Sequence, residues 1–180
     1  MTFRVNFYAD QAFFSMVKRI LNKSYKYSSK QKLAYEPEEA ATAIIICHSG
    51  CEAFLNILAK HIEIDNFEIY ERKSIIDKIE ILYSIVNIPL DWSRLPLQDI
   101  RALDKVRNWL THFKNSDIGL INSMGQWVID DINKKPKIDD NVELKYERVQ
   151  RLYNNTRASL FEIAKLLGVS EDFRYLITEE

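Results

Sequence analysis

Only four glycines are spread over the 180 residues of this chain, where average usage near 7% would supply roughly a dozen. Glycine enters left-handed and crowded backbone conformations without steric cost, and sharp turns depend on it. Four prolines add little to that stock. The shortage argues against an all-β sandwich or barrel. It also argues against a Gly-rich loop whose backbone amides cradle phosphate. Long helices remain. The length is that of one domain, and a composition 47% hydrophobic and 28% charged can bury a core around them.

Net charge is −1, from 25 Lys and Arg against 26 Asp and Glu. No global field favours nucleic acid, so any such affinity must be local. The first ten residues, MTFRVNFYAD, hold no apolar signal core or small-residue cleavage site. The longest apolar stretch, Ala40 to Ala59, is interrupted by His48, Glu52 and Asn56 and is followed by Lys60 and His61. A bilayer tolerates that set poorly. A core helix, a cytoplasmic protein and no membrane partner are therefore expected.

Spacings of three and four place a first helix from about Asp10, through Phe13, Phe14, Val17, Ile20 and Leu21. The polar run Ser24 to Lys32 reads as its end and a loop. Pro37 followed by Glu38 and Glu39 opens a second helix reaching about His61. Ile75, Ile79, Leu82 and Val86 mark a third, which Pro89 stops. A fourth runs from near Leu97 to about Asn115, with Ile100, Leu103, Val106, Leu110 and Phe113 on one face. Gln126 to Asp130 reads as a short strand, and Lys134 to Lys137 as a turn, together a small hairpin. A last helix covers about Val142 to Leu167, with Gly168 at its C′ position and one further turn in the tail. The expectation is an all-α, up-and-down bundle of about five helices with a possible hairpin insertion, all in a single domain, 1–180.

On the fourth helix, Arg101, Lys105, Asn108 and His112 fall four, three and four apart, opposite the apolar face. Arg107 lies at the border of that face, roughly 140° from His112 on an ideal helix. By itself this is an ordinary solvated basic stripe.

The segment Val106-Arg107-Asn108-Trp-Leu-Thr-His112 resembles the signature of the HEPN superfamily of small helical domains. In that signature an Arg, usually followed by a polar residue, precedes a His by four to six positions. Cys51-Glu52-Ala-Phe-Leu-Asn56 is similar to the Glu- and Asn-bearing helix of those domains, and Lys78 in Ser-Ile-Ile-Asp-Lys-Ile is also family-like. The resemblance spans residues 38–115, leaving 1–36 and 116–180 as unassigned additions.

What it implies is a homodimer with two Arg-Asn…His motifs facing one cleft. Active members are endoribonucleases that need no metal or other cofactor, often toxins or phage-defence effectors held by an antitoxin or another regulatory protein. His112 would then be the general acid or base, Arg107 the phosphate stabiliser, and Asn108 an orienting group. Glu52, Asn56 and Lys78 would support the motif, and Arg101, Lys105 and Lys114 would contact RNA. Imidazole titrates near neutrality and can take or give the proton of RNA cleavage. A guanidinium can bind the growing phosphoryl charge in a bidentate fashion. The chain departs from some toxins at Lys114, where those carry a tyrosine that a partner enzyme nucleotidylates. The alternative is a non-catalytic module of the same type, binding a nucleotide, RNA or protein.

His48, Glu52 and Asn56 share one side of the second helix. They read equally as support for the motif, with Glu52 accepting from Arg107 or Asn108, and as a buried polar cluster that fixes register. Cys47, His48 and Cys51 have no second ligand pair elsewhere, so buried cysteines are expected rather than zinc. His61 suits the negative end of its helix. Trp92, Trp109 and Trp127 have faces on which bases stack, though packing accounts for them as well.

Overall fold

The structure, a computed structural model, describes residues 9–31, 37–111, 120–121, 127–128 and 146–177. The protein is all-α. Its elements are α1 (Ala9–Gln31), α2 (Pro37–His61), α3 (Phe67–Glu71), α4 (Ile75–Ile85), α5 (Leu97–Thr111) and α6 (Tyr146–Leu166), then a 3-10 segment (Ser170–Leu176). Extended structure among the described residues is confined to β1 (Leu120–Ile121) antiparallel to β2 (Trp127–Val128).

α1 and α2 form an antiparallel pair. Lys23, late in α1, binds Glu39, early in α2, at 2.6 Å. At the other end of the pair Gly50 lies against Phe13 and Phe14. A Cβ on Gly50 would come within 3.1 Å of the Phe13 Cβ, so hydrogen is the side chain that fits this approach best. α2 is the central element. Ala40, Ala43, Ile44, Cys47, Cys51, Phe54, Leu55 and Leu58 are all buried. By length and composition the stretch Glu39–His61 would suffice to cross a membrane. It packs against α1, α4, α5 and α6.

α5 gives Leu97, Ile100, Leu103 and Val106 to this core, and α6 gives Val149, Leu160, Ile163 and Ala164. Polar clasps fix the helices around it. Buried Asp99 accepts from Asn155 at 2.6 Å and pairs with Arg151 at 3.3 Å, joining α5 to α6. The Tyr153 hydroxyl donates to the Phe14 carbonyl at 3.3 Å, joining α6 to α1.

The helix ends show how the chain manages with so few glycines. α6 closes with Gly168 at φ 76°, while the amides of Gly168 and Val169 donate to Lys165 and Ala164. α2 closes in the same pattern with Glu63 at φ 54°, and α4 with Asn87 at φ 54°. The left-handed position is thus filled twice by residues that carry a Cβ.

Differences from the sequence reading are local. α1 continues to Gln31 through the polar run read as a loop. Nothing in Ser24 to Gln31 is a glycine or proline, so polarity alone does not end the helix. The one-turn helix α3 is not among the expected elements; Tyr70 on it is buried and donates to the Leu55 carbonyl at 3.3 Å. α4 starts where Ser74 caps it, accepting from the Asp77 amide at 3.2 Å. Trp127 and Val128 pair with the upstream Leu120 and Ile121, and the expected turn at Lys134 to Lys137 lies outside the described residues.

Candidate functional site

α5 turns its apolar stripe to the core, which leaves Arg101 and Lys105 exposed and holds Arg107 and Asn108 half-buried at the border. The expected border position of Arg107 is present; of the expected outward stripe Arg101 and Lys105 are exposed, while Asn108 turns toward the border instead. His112 and Lys114 lie outside the described residues.

Arg107 and Asn108 are tied together. Arg107 Nη1 donates to Asn108 Oδ1 at 2.9 Å. Asn108 Nδ2 in turn donates to Asp104 Oδ2, one helical turn back, at 3.1 Å. The other carboxylate oxygen of Asp104 receives His48 Nε2 of α2 at 3.0 Å. The His48 side chain is 7% exposed and that of Asp104 20%. A carboxylate can only accept, so His48 carries its proton on Nε2 here. The result is a continuous polar line from the core-facing side of α2 to the guanidinium on α5.

A second pair lies beside it. Lys78 of α4, fully buried, donates to Glu52 Oε1 at 3.1 Å. Its ammonium also stands 5.9 Å from the centre of the Tyr70 ring. Glu52 and His48 are one turn apart on α2, so both pairs occupy the same face of that helix. The expectation that Glu52 accepts from Arg107 or Asn108 is corrected. Glu52 serves the buried Lys78, and the acceptor for Asn108 is Asp104. Asn56, one turn further along, has a buried Oδ1 with no hydrogen-bond partner among the described residues.

Asp104 is the residue that sequence reasoning misses. It sits three residues before Arg107 and four before Asn108, the positions from which one helical side chain reaches the next. Amid Arg101, Lys105 and Arg107 an acid reads as one more solvated charge, and that hides it. Of the tryptophans, Trp92 donates to Glu80 at 3.2 Å and lies under the Arg101 guanidinium, 5.6 Å away, while Trp109 is half-buried.

Cys47 and Cys51 are buried free thiols one turn apart. Burial pushes the Cys47 thiol up to about 12 and Cys51 upward as well. No group of three or more His, Cys, Asp and Glu side chains is gathered for a metal ion among the described residues. His61 Nε2 pairs with Asp172 at 3.3 Å while its ring meets the edge of Phe173. It therefore helps to hold the C-terminal segment rather than only the end of its own helix.

No family model, curated protein or solved structure matches the chain.

Proposed function

We propose that this protein is a HEPN-like, metal-independent endoribonuclease working as a homodimer, of the toxin or phage-defence kind. The observation that carries the reading is the hydrogen-bonded Arg107–Asn108 pair, held half-buried near the end of α5. A motif that existed by chance on a solvated face would have no reason to be anchored through Asp104 to a buried histidine of another helix. The all-α architecture and the pairing of buried Lys78 with Glu52 are consistent with it. On this reading the elements form an up-and-down bundle, with the β1–β2 pair as a decoration.

The chemistry follows from charge. In-line attack by a ribose 2′-hydroxyl needs a base for its proton and an acid for the leaving oxygen. Two copies of His112 in one dimer cleft supply one of each. Negative charge grows on the phosphoryl oxygens, and Arg107 from each copy neutralises it. Arg101, Lys105 and Lys114 contact the RNA backbone, so a chain of net charge −1 still presents a locally basic cleft. The reading places the protein in the cytoplasm, where RNA and an antitoxin or other regulator would meet it.

A binding module without catalysis is the second reading. It is favoured by the net charge of −1, which gives the chain no global attraction for RNA. Purified protein incubated with RNA in EDTA separates the two. Cleavage that vanishes in His112→Ala and Arg107→Ala supports the ribonuclease; intact RNA with all three proteins supports the module.

A further inference from the structure

We propose that Asp104, anchored by His48, is a positioning residue that aims the Arg107 guanidinium. Its place in catalysis rests on the ribonuclease reading; its geometry does not.

The hydrogen bonds of this line converge on Asp104 from both ends. His48 Nε2 donates to Asp104 Oδ1 at 3.0 Å, Asn108 Nδ2 donates to Asp104 Oδ2 at 3.1 Å, and Arg107 Nη1 donates to Asn108 Oδ1 at 2.9 Å. An amide has a donor end and an acceptor end, and only the acceptor end can receive a guanidinium. The carboxylate of Asp104 accepts only, so it selects the donor end of Asn108 and turns the oxygen toward Arg107. Without that selection the amide can present its NH2 to Arg107 and push it away.

Asp104 itself is held from outside its helix. His48 is separated from it by 56 residues and is buried in α2. The aim of Arg107 is therefore referred to the central helix of the core and not to α5 alone. A guanidinium with five donors on a long stem has many rotamers, and fixing one of them before substrate arrives reduces the ordering cost of reaching the transition state.

The order of donors and acceptors gives the test. Asp104→Leu removes both acceptors, whereas in Asp104→Asn an NH2 group faces either Asn108 or His48, a donor unless its ring moves the proton to Nδ1. Adding Asn108→Asp restores a line without opposed donors. His48 then donates to the amide oxygen introduced by the first change, and the NH2 of that amide donates to the carboxylate introduced by the second. The same carboxylate accepts from Arg107. The readout is the rotation of the Arg107 guanidinium, followed by NMR of its Nη protons, with exposed Arg101 in the same molecule for comparison. Expected are resolved, slowly exchanging Nη protons for Arg107 in wild type, averaging like that of Arg101 in Asp104→Leu, and slow exchange again in the double variant of Asp104→Asn with Asn108→Asp. His48→Gln, which keeps a donor, retains the slow rotation, and His48→Leu loses it.

Arg107 averaging like Arg101 in wild type overturns the proposal without recourse to any variant. So does slow rotation that Asp104→Leu leaves untouched. In parallel, RNA cleavage in EDTA by Asp104→Leu is expected to fall about 10-fold in kcat with little change in KM. If the guanidinium behaves as stated and wild type leaves RNA intact, the positioning role stands and the ribonuclease reading falls.

Discussion

The ammonium of Lys78, with no solvent exposure, lies 3.1 Å from Glu52 Oε1, whose side chain is 42% exposed. The pair is unequal, and its two halves should fail differently. Removing Glu52 strands a buried charge, whereas removing Lys78 leaves a carboxylate that water can reach. Glu52→Ala is expected to cost about 3 kcal/mol in urea denaturation and Lys78→Met about 1 kcal/mol or less. The double variant should be more stable than Glu52→Ala alone. Equal costs for the two single changes would show that the ammonium is hydrated after all.

The glycine-poor helix ends predict substitutions of opposite sign. Glu63 holds φ 54° at the end of α2, where an L side chain crowds the backbone. Glu63→Gly should raise stability by about 0.5–1 kcal/mol, and Gly168→Ala, at φ 76°, should lower it by about 1 kcal/mol. Chemical denaturation of both variants beside wild type checks the pair. A destabilised Glu63→Gly would mean that its side chain contributes more than its backbone strain costs.

Asp10 predicts a pH dependence. It is buried in the first turn of α1, where the Tyr175 hydroxyl donates to its Oδ2. Burial raises its carboxyl above the ordinary 3.8, and the hydrogen bonds from Tyr175 and the Gln11 backbone offset part of that. A group that binds its proton more tightly when folded contributes stability at low pH. That contribution is lost as pH rises from about 3.8 through the raised folded value. Asp10→Asn keeps an acceptor for Tyr175 and cannot ionise. It should therefore gain on wild type as pH climbs from about 4 to about 7, in unfolding curves at several pH values. A constant difference across that range would contradict the raised value.

The two thiols should be silent in the folded protein. Cys47 and Cys51 are buried, and burial holds both well away from the thiolate form that reacts. At a pH of about 8 a disulfide reagent should modify them at least ~100-fold more slowly than a free thiol, at a rate that rises with urea. Rapid labelling without denaturant would place at least one of them at an opening in the core.

Strong periodicity makes the long helices legible before any coordinates. Pro37 with two following glutamates marks the start of α2, and Gly168 marks the end of α6. Elements held by tertiary contacts are not legible. α3 is too short to show a period, and it is ordered by Tyr70 reaching across to Leu55. At the candidate site, types and faces are readable on the wheel, which puts Arg107 at the border of the core. Partners are not, because the choice of Asp104 over Glu52 depends on how α2, α4 and α5 are placed around one another. Helix spacing speaks only for residues on the same helix.

The most direct test of the ribonuclease reading is single-turnover cleavage of RNA by purified protein in EDTA, beside His112→Ala and Arg107→Ala. Cleavage by wild type is expected, with a loss of at least about 100-fold in either variant. RNA left intact by wild type, or cut equally well by both variants, would contradict it.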